Sequence, residues 1–489
     1  MRRLLIALTL AGAALRFATL DVQSFWYDEA VTVGLVRHDL WGMLDRIPGS
    51  ESTPPLYYVL AWLWTQLFGT GEVGIRSFSA LLGTLAIPVF YLAARELTRS
   101  ERAAVAVAAL AAFNPFLVWY SQEARTYSLL TLLGAVSLYF FARLLRGFEM
   151  RTLVWWAVTS ALALCAHYFA GFLVVPEAVW IAWRLPRRPA LLASGAVAGV
   201  GLALLPLAIH QQRLDLASFI RSAALPYRLL RLLKQFLIGF DAPLEILLTL
   251  VAGAIVAAGI ALALRRADRG IHAAAALAGL GVVIPGVLAL VGLDYVDTRN
   301  LILAWLPLFT VAAAGLVRSA AGETGVVAVC AIGLATVVAV EVTPLWQRDN
   351  WRGIVRALGP ARAPRAVVLT PTETGAVPFR FYDPAATPIG VRGAYVSQIA
   401  LVSKQGRNEN AIHPAPPPRP ARPRVPGFTE VRRVYAKNFT VIVFARGSKV
   451  HVDPGFLSAF RLRPREAPAL FLQPPISAAA GRGRPRPGG

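Results

Sequence analysis

The chain has 489 residues, of which 56% are hydrophobic and only 16% are charged, whereas soluble proteins carry about 25% charged residues. Its net charge of +22 would ordinarily suggest a nucleic-acid partner, but most of the positive charge is arginine placed between apolar segments and in a Pro/Arg-rich tail. The composition therefore excludes an ordinary soluble protein and argues against nucleic-acid binding.

Apolar stretches of roughly the length that crosses a bilayer recur through the first 342 positions. The first begins after Arg2 and Arg3 and contains Arg16, and we interpret it as an uncleaved helix rather than a signal peptide. Eleven transmembrane helices are predicted, at residues 4–20, 76–94, 103–119, 127–145, 152–168, 169–183, 190–209, 243–264, 271–293, 300–317 and 325–342.

Arginines cluster in alternate connections between these segments, at 95–102, 143–151, 184–188, 265–269 and 318. Cytoplasmic connections are enriched in arginine and lysine, so these connections and the N-terminus are predicted to face the cytoplasm. The alternation requires residues 55–69, a short segment rich in Trp and Tyr, to lie along the outer membrane surface as an interfacial helix.

Five polar clusters then fall on the extracytoplasmic side of the membrane. They are Asp28-Glu29, residues 51–55, residues 120–127, His167-Tyr168 and residues 294–299. Ionisable groups at membrane depth cost several kcal/mol unless they are paired or hydrated. Their convergence on one side predicts a shared, partly hydrated cavity.

Asp28 and Glu29 are predicted to lie in the connection after the first helix. A carboxylate at a membrane face can act as a general base on an acceptor hydroxyl or amine, and it can also bind a cation. The alternative is an acidic pair at the start of a helix, where the helix dipole favours negative charge. The residues alone leave both interpretations open.

Three basic residues are candidates for binding phosphate. Arg125 can hold a phosphate with two hydrogen bonds, or it can simply pair with the neighbouring Glu123. His167 can bind phosphate, shuttle a proton or ligate metal, or it can be a hydrogen-bonded hinge residue. Arg299 is a second phosphate candidate, with a local pair to Asp294 or Asp297 as the alternative. No strong metal-ligand spacing and no nucleotide-binding motif is present.

Five motifs in order carry a family resemblance: WYDEA at 26–30, TPPLYYVLAWLW at 53–64, RSFSALLGTLAIPVFYLAARELT at 76–98, NPFLVWYSQEARTYSLL at 114–130 and AHYFAGF at 166–172. Together they resemble bacterial family-39-like glycosyltransferases of the GT-C superfamily, which includes protein O-mannosyltransferases and lipid A aminoarabinose transferases. The resemblance covers about residues 1–175 and weakens through 290–345. It implies an integral membrane enzyme that moves a sugar from a polyprenyl-phosphate donor to a protein, lipid or glycan acceptor outside the cytoplasm.

The resemblance also implies residue roles. Asp28 matches the catalytic base, Glu29 would support it, and Arg125 would bind the donor phosphate and stabilise it as the leaving group. Direct displacement would invert the anomeric carbon. Many members carry His before the Pro-Pro of the first external connection, where this chain has Thr53, which leaves Glu51 or Ser52 as substitutes. The further residues expected to bind substrate are Glu51, Tyr57, Gln122, Glu123, Tyr127, His167, Tyr168 and Arg299. No soluble cofactor is expected, and a divalent metal is not indicated.

Apolar segments stop before Asn350, and the strand-like sequences at 365–371 and 439–446 predict a small α/β domain. The predicted organisation is a membrane domain at 1–345, a small extracytoplasmic domain at 346–447 and a Pro/Arg/Gly-rich, disordered tail at 448–489. The expected location is the bacterial plasma membrane, in contact with its lipids.

Two other functions compete with the transferase. A transporter or flippase of lipid-linked sugars is disfavoured because no repeat between the two halves is visible and because the acidic pair is predicted in a connection rather than inside a helix. A non-catalytic membrane scaffold would not need acidic and arginine clusters that face one cavity.

Overall fold

The computed structural model describes residues 1–406 and 415–475. These residues divide into two compact units. The helical unit contains residues 1–21 and 32–342, and the C-terminal unit contains the described residues from Thr343 onward together with residues 22–31. The inclusion of residues 22–31 in the C-terminal unit is not predicted by the sequence.

Sixteen α-helices precede Thr343 in the structure. They are α1 Arg2–Phe17, α2 Tyr27–Val36, α3 Leu40–Ser50, α4 Leu56–Phe68, α5 Glu72–Thr98, α6 Glu101–Phe113, α7 Pro115–Ser121, α8 Tyr127–Arg146, α9 Met150–Ala166, α10 Gly171–Arg184, α11 Arg187–Arg213, α12 Leu225–Ile238, α13 Glu245–Leu264, α14 Arg269–Leu290, α15 Trp305–Leu316 and α16 Ala320–Val342. Short 3-10 helices cover Tyr168–Ala170, Ser218–Ser222 and Thr298–Ala304.

The predicted polytopic helical membrane fold is confirmed in outline, since each predicted apolar segment overlaps one or more of these helices. Seven helical segments of the described residues are long and apolar enough to cross a membrane, one of them made of the 3-10 helix Thr298–Ala304 together with α15. The number is eight if the bent pair α6–α7 counts as one span. Helices α1, α9 and α10 contain 16, 17 and 14 residues and fall below that length. The number eleven therefore stays a prediction.

The segment predicted as one helix at 103–119 is broken. Helices α6 and α7 meet at an angle of 59°. Asn114 has extended backbone angles and its side chain accepts a hydrogen bond from Leu117 N, while Pro115 occupies the first position of α7. Because the residue before a proline disfavours helical backbone angles, the break is encoded by the Asn-Pro pair. It redirects the chain just before residues 122–126.

Close helix contacts build the core of the helical unit. A Cβ atom added to Gly315 would lie 1.8 Å from the carbonyl oxygen of Gly259, and one added to Gly259 would lie 2.5 Å from the carbonyl oxygen of Ala312. Small residues allow helix backbones to approach this closely inside a bilayer. Glycine at these two positions therefore sets the packing of α13 on α15.

The C-terminal unit contains a six-stranded mixed sheet with strand order β2-β6-β1-β3-β5-β4. Its strands are β1 Arg365–Thr370, β2 Thr387–Pro388, β3 Ala394–Lys404, β4 Thr429–Tyr435, β5 Phe439–Val452 and β6 Ala469–Gln473, and its helices are α17 Trp351–Leu358, α18 Thr372–Tyr382 and α19 Pro454–Ser458. Strands β1 and β3 are parallel, and the other pairs are antiparallel. The small sheet domain is thus present, with strands at both predicted positions.

The tail predicted as disordered from residue 448 is partly wrong. Strand β5 continues to Val452, and β6 inserts between β1 and β2. Leu470 and Leu472 alternate with Ala469 and Phe471 along β6, so each face of that strand packs against a core cluster. Because the surrounding residues are rich in Pro and Arg, the sequence does not predict this five-residue strand. The rest of the predicted tail, residues 476–489, lies outside the described residues.

Candidate active site

The most distinctive feature of the helical unit is a buried ion pair between Arg125 and Glu51. Arg125 Nη1 lies 2.8 Å from each carboxylate oxygen of Glu51 and donates to the Thr32 hydroxyl at 3.1 Å. The side chains of Arg125 and Glu51 are only 8% and 3% exposed. Burying two charges costs several kcal/mol per ion unless the geometry is good, so a buried pair is poor evidence of a stability role and marks a candidate functional site.

Local sequence places both partners. Glu51 follows the last residue of α3, where its backbone is extended and its N–H bonds to the carbonyl of Ile47. The two prolines that follow, Pro54 and Pro55, prevent α3 from continuing. Arg125 lies in the non-helical turn between α7 and α8. The end of α3 and the turn between α7 and α8 therefore bring Glu51 and Arg125 together.

Backbone and hydroxyl contacts hold this turn. The Ser79 hydroxyl donates to the Arg125 carbonyl at 3.4 Å and lies 3.1 Å from the Tyr57 hydroxyl. The Gln122 amide donates to the Leu15 carbonyl at 3.0 Å and to the Thr19 hydroxyl at 2.7 Å. Tyr57 and Gln122, both expected to bind substrate, therefore make contacts that position the Arg125 segment.

Glu123, the partner of Arg125 in the alternative interpretation, lies in the same turn as Arg125. Glu123 is 1% exposed, and its backbone carbonyl accepts a hydrogen bond from Arg125 N at 2.7 Å. The guanidinium, however, is paired with Glu51, an acid 74 positions away in the chain. Arg125 is therefore held by a long-range contact and not only by its own segment.

Aromatic rings line the same region. The Tyr127 ring centroid lies 4.7 Å from that of Tyr120 and 5.8 Å from that of His167. The Arg299 guanidinium carbon lies 5.9 Å from the Tyr127 centroid. The structure thus brings together three of the residues that the sequence predicts to bind substrate, Tyr127, His167 and Arg299.

His167 and Tyr168 connect α9 to α10. The His167 Nδ1 accepts a hydrogen bond from Phe169 N at 3.2 Å and the ring is 2% exposed, which matches the hinge interpretation. The Tyr168 hydroxyl donates to the Gln211 side chain at 2.8 Å, and the Gln211 amide donates to the Thr53 carbonyl at 3.2 Å. Tyr168 is therefore linked through Gln211 to the connection that carries Glu51.

Helix α12 contributes a second set of ion pairs that sequence reasoning missed. Arg228 donates to the Asp294 carboxylate at 2.7 and 2.5 Å and to the Val296 carbonyl at 2.9 Å. Arg231 lies 3.2 Å from Asp297, whose other carboxylate oxygen lies 3.6 Å from Arg299 Nε. Arg299 is thus paired locally with Asp297, as the alternative interpretation supposed, and it also faces Tyr127. The i, i+3 spacing of Arg228, Arg231 and Lys234 on one helix face was the available signal.

We expect the contact between Arg228 and Asp294 to add stability that depends on pH. The hydrogen bond from Arg228 holds the pKa of Asp294 below its ordinary value. An acid whose pKa is lowered by folding contributes stability above its unfolded pKa of about 3.9 and loses it as the pH falls further. Arg228→Met should lower the free energy of unfolding by about 2 kcal/mol at pH 7, less than for a fully buried pair because the Asp294 side chain is 14% exposed.

The measurement is unfolding of the purified chain at pH 7, 5 and 3, with Asp294→Asn as the matched variant. The stability difference between wild type and Asp294→Asn should shrink between pH 5 and 3. A difference that stays constant over this interval would show that ionised Asp294 adds nothing.

Asp28 and Glu29 occupy the first turn of α2, not a loop as the sequence predicted. The connection between the first helix and Pro55 contains two short helices, α2 and α3, whose lengths of 10 and 11 residues escape a search for membrane-spanning runs. Glu29 is buried, and its carboxylate lies 3.5 Å from Trp26 N, which is a helix-capping arrangement. Asp28 is half-buried.

The position of Asp28 on α2 relates it to the Arg125 contact. Asp28 and Thr32 are four residues apart in one helix and so share a face. Thr32 is the residue whose hydroxyl accepts from Arg125. The position of Asp28 in the first turn of α2 fits the helix-dipole interpretation, and the catalytic interpretation stays a prediction.

Among residues 1–406 and 415–475, no group of three or more His, Cys, Asp or Glu side chains is arranged to hold a metal ion.

Residues 52–210 match the family model for dolichyl-phosphate-mannose-protein mannosyltransferases. The matched range contains Arg125 but begins one residue after Glu51. The match confirms the resemblance to protein O-mannosyltransferases over 159 of the 489 residues.

An uncharacterised protein of Aquifex aeolicus (strain VF5) is 30% identical over 141 residues, which cover 28% of this chain and 27% of that protein. The match thus spans about a quarter of that relative.

The crystal structure of ArnT from Cupriavidus metallidurans bound to undecaprenyl phosphate is similar at 19% identity, covering 64% of this chain and 60% of that chain, with a TM-score of 0.46. The Pmt1-Pmt2 protein O-mannosyltransferase complex of S. cerevisiae, bound to the sugar donor, is similar at 16% identity over 44% of this chain and 34% of that chain, with a TM-score of 0.33.

Proposed function

We propose that this chain is an integral membrane glycosyltransferase that moves a sugar from a polyprenyl-phosphate donor to an acceptor outside the cytoplasm. The observation that carries the proposal is the buried pair of Arg125 and Glu51, because Arg125 lies in the segment that matches the mannosyltransferase family. The acceptor is a protein, a lipid or a glycan, and the membrane is the bacterial plasma membrane, with the N-terminus in the cytoplasm.

Arg125 is proposed to hold the donor phosphate. A guanidinium can bind a phosphate with two parallel hydrogen bonds, and in a buried site its charge stabilises the phosphate that leaves as the sugar is transferred. In the structure Glu51 occupies the anion-binding side of this guanidinium at 2.8 Å. The donor phosphate would therefore compete with Glu51 or rearrange it, and Glu51 keeps Arg125 paired when no donor is bound.

Asp28 is proposed as the general base that removes the proton from the acceptor. The support is that α2 carries Asp28 one turn before Thr32, and Thr32 contacts Arg125. Glu29 supports this turn from a buried position beside Trp26 N. A base must come within hydrogen-bond distance of the proton that it removes, so placement on a helix that also reaches the phosphate-binding group suits this role.

A vesicle assay tests the transferase against a transporter. The full chain is reconstituted with a polyprenyl-phosphate sugar that is radiolabelled in the sugar, and envelope membranes from cells lacking the chain serve as the acceptor source. A transferase releases free polyprenyl phosphate and moves the label to another molecule. Label that stays on intact donor but crosses to the other leaflet would instead establish a transporter.

The anomeric configuration of the product gives a further prediction. An acceptor that Asp28 activates should displace the phosphate from the opposite face of the sugar in one step. The product should then have the configuration opposite to that of the donor, as measured from the anomeric coupling constants in its NMR spectrum. Retention of configuration would contradict direct displacement and with it the proposed role of Asp28.

A further inference from the structure

Residues 22–25 end three positions before Asp28, and hydrogen bonds attach them to the part of the C-terminal unit from Thr343 onward. The Gln23 side chain accepts from Arg348 N at 2.8 Å. The Ser24 hydroxyl donates to the Asp349 carbonyl at 2.6 Å and accepts from Trp351 N at 2.9 Å. Phe25 N donates to the Tyr382 hydroxyl at 2.7 Å. These short bonds fix the chain that enters α2.

Packing adds to these bonds. Phe25 is 1% exposed, and its ring meets that of Phe381 edge to face at 5.3 Å. Asp349, which receives the Ser24 bond through its carbonyl, is held through its carboxylate by Lys404 at 2.7 Å, at the end of the central strand β3. The attachment of residues 22–25 is thus continuous with the sheet and with α18, which carries Tyr382.

Helix α2 needs such support. It has only 10 residues, and isolated helices of this length are marginal in water. The direction of its first turn is set by the residues before it, three of which bond to the C-terminal unit. Asp28 follows Phe25 by three residues, so a loss of these bonds should loosen the turn that carries its carboxylate.

We infer that the C-terminal unit positions the carboxylate of Asp28 for sugar transfer, and that Ser24 and Tyr382 are positioning residues for this reaction. The inference rests on the proposed function. In this inference the residues from Thr343 onward hold the turn that carries the base. Misplacement of a catalytic group by about 1 Å can cost about 100-fold in rate, so small losses of order should be visible.

The test compares full-length Tyr382→Phe with Tyr435→Phe. The first substitution removes the hydroxyl that accepts from Phe25 N. The second is a matched control in the same unit, because the Tyr435 hydroxyl bonds to the Pro420 carbonyl and not to residues 22–31. Tyr382→Phe should lower kcat about 10-fold with the dissociation constant of the donor lipid within about twofold of wild type, and Tyr435→Phe should leave both unchanged.

Ser24 supplies a rescue experiment. Ser24→Ala removes the hydroxyl that makes two bonds, and Ser24→Thr keeps a hydroxyl. Alanine should lower kcat about 10-fold and threonine should recover most of it. A wild-type kcat in both Ser24→Ala and Tyr382→Phe would overturn the inference, as would a loss of donor affinity equal to the loss of kcat.

Amide hydrogen exchange separates failure of this inference from failure of the proposed function. Exchange over residues 22–31 should be faster in Tyr382→Phe than in wild type and unchanged in Tyr435→Phe. If wild type transfers no sugar, the proposed function fails. The exchange result still shows whether the residues from Thr343 onward order residues 22–31. Equal exchange in wild type and Tyr382→Phe would show that the C-terminal unit does not order this segment.

Discussion

Asp28→Asn should reduce sugar transfer by about 100- to 10,000-fold, the range that general bases contribute. Asparagine has the size of aspartate but cannot take up the acceptor proton. Asp28 is half-buried in the first turn of a helix, so the substitution changes charge without opening a cavity. Donor-lipid binding should stay close to wild type, because the phosphate is assigned to Arg125.

Turnover and donor affinity are measured separately for this variant. Glu29→Gln is the control, since Glu29 is buried and caps the same turn through Trp26 N. It should cost stability and some activity, but less activity than Asp28→Asn. Wild-type turnover in Asp28→Asn would show that Asp28 is not the general base. A large loss of donor binding would show that Asp28 binds the donor instead.

Replacement of Arg125 should weaken donor binding strongly. Truncating one member of a buried charge pair costs about 2–5 kcal/mol, which corresponds to an increase in the donor dissociation constant of at least about 30-fold. Arg125→Met also leaves Glu51 buried without this partner, and that should destabilise the protein by about 3–5 kcal/mol. With the single variant alone, a loss of donor binding cannot be distinguished from a loss of folding.

The double variant Arg125→Met with Glu51→Gln resolves this. Removing both charges should restore most of the stability, since a buried pair is often replaceable by neutral groups. Donor affinity should remain as low as in Arg125→Met, because the phosphate still lacks its guanidinium. Recovery of donor affinity in the double variant would show that Arg125 serves folding and not the donor. The measurements are thermal unfolding and donor-lipid binding of the wild type, both single variants and the double variant.

The long helices and the pairing candidates were predictable, but the contacts between them were not. Arg125 could be selected from its charge and its place before a long apolar helix, yet its partner Glu51 is 74 positions away and no local spacing relates them. The same distance problem hides the bond from Ser24 to Asp349, which are 325 positions apart. A single sequence holds no record of such contacts.

The short helices and one short strand were not predicted from the sequence either. The lengths of α5, α8 and α11 make them predictable as membrane-spanning segments, whereas α2 and α12 have only 10 and 14 residues and are too short. Helix α12 carries Arg228 and Arg231, the partners of Asp294 and Asp297. Because α12 is not predicted, the sequence does not show that these arginines lie close to the segment that contains Arg299. Strand β6 escaped for a related reason: its five residues lie within a Pro- and Arg-rich region, and only pairing with β1 and β2 reveals them.

A comparison of donor classes tests the central claim most directly. The purified full chain in lipid nanodiscs is given the same labelled sugar either on polyprenyl phosphate or on a nucleoside diphosphate, with acceptor membranes present in both reactions. Transfer from the polyprenyl-phosphate sugar alone, with release of free polyprenyl phosphate, is the result expected for Arg125 as a lipid-phosphate ligand. Transfer from the nucleotide sugar in the absence of any lipid-linked donor would contradict the account.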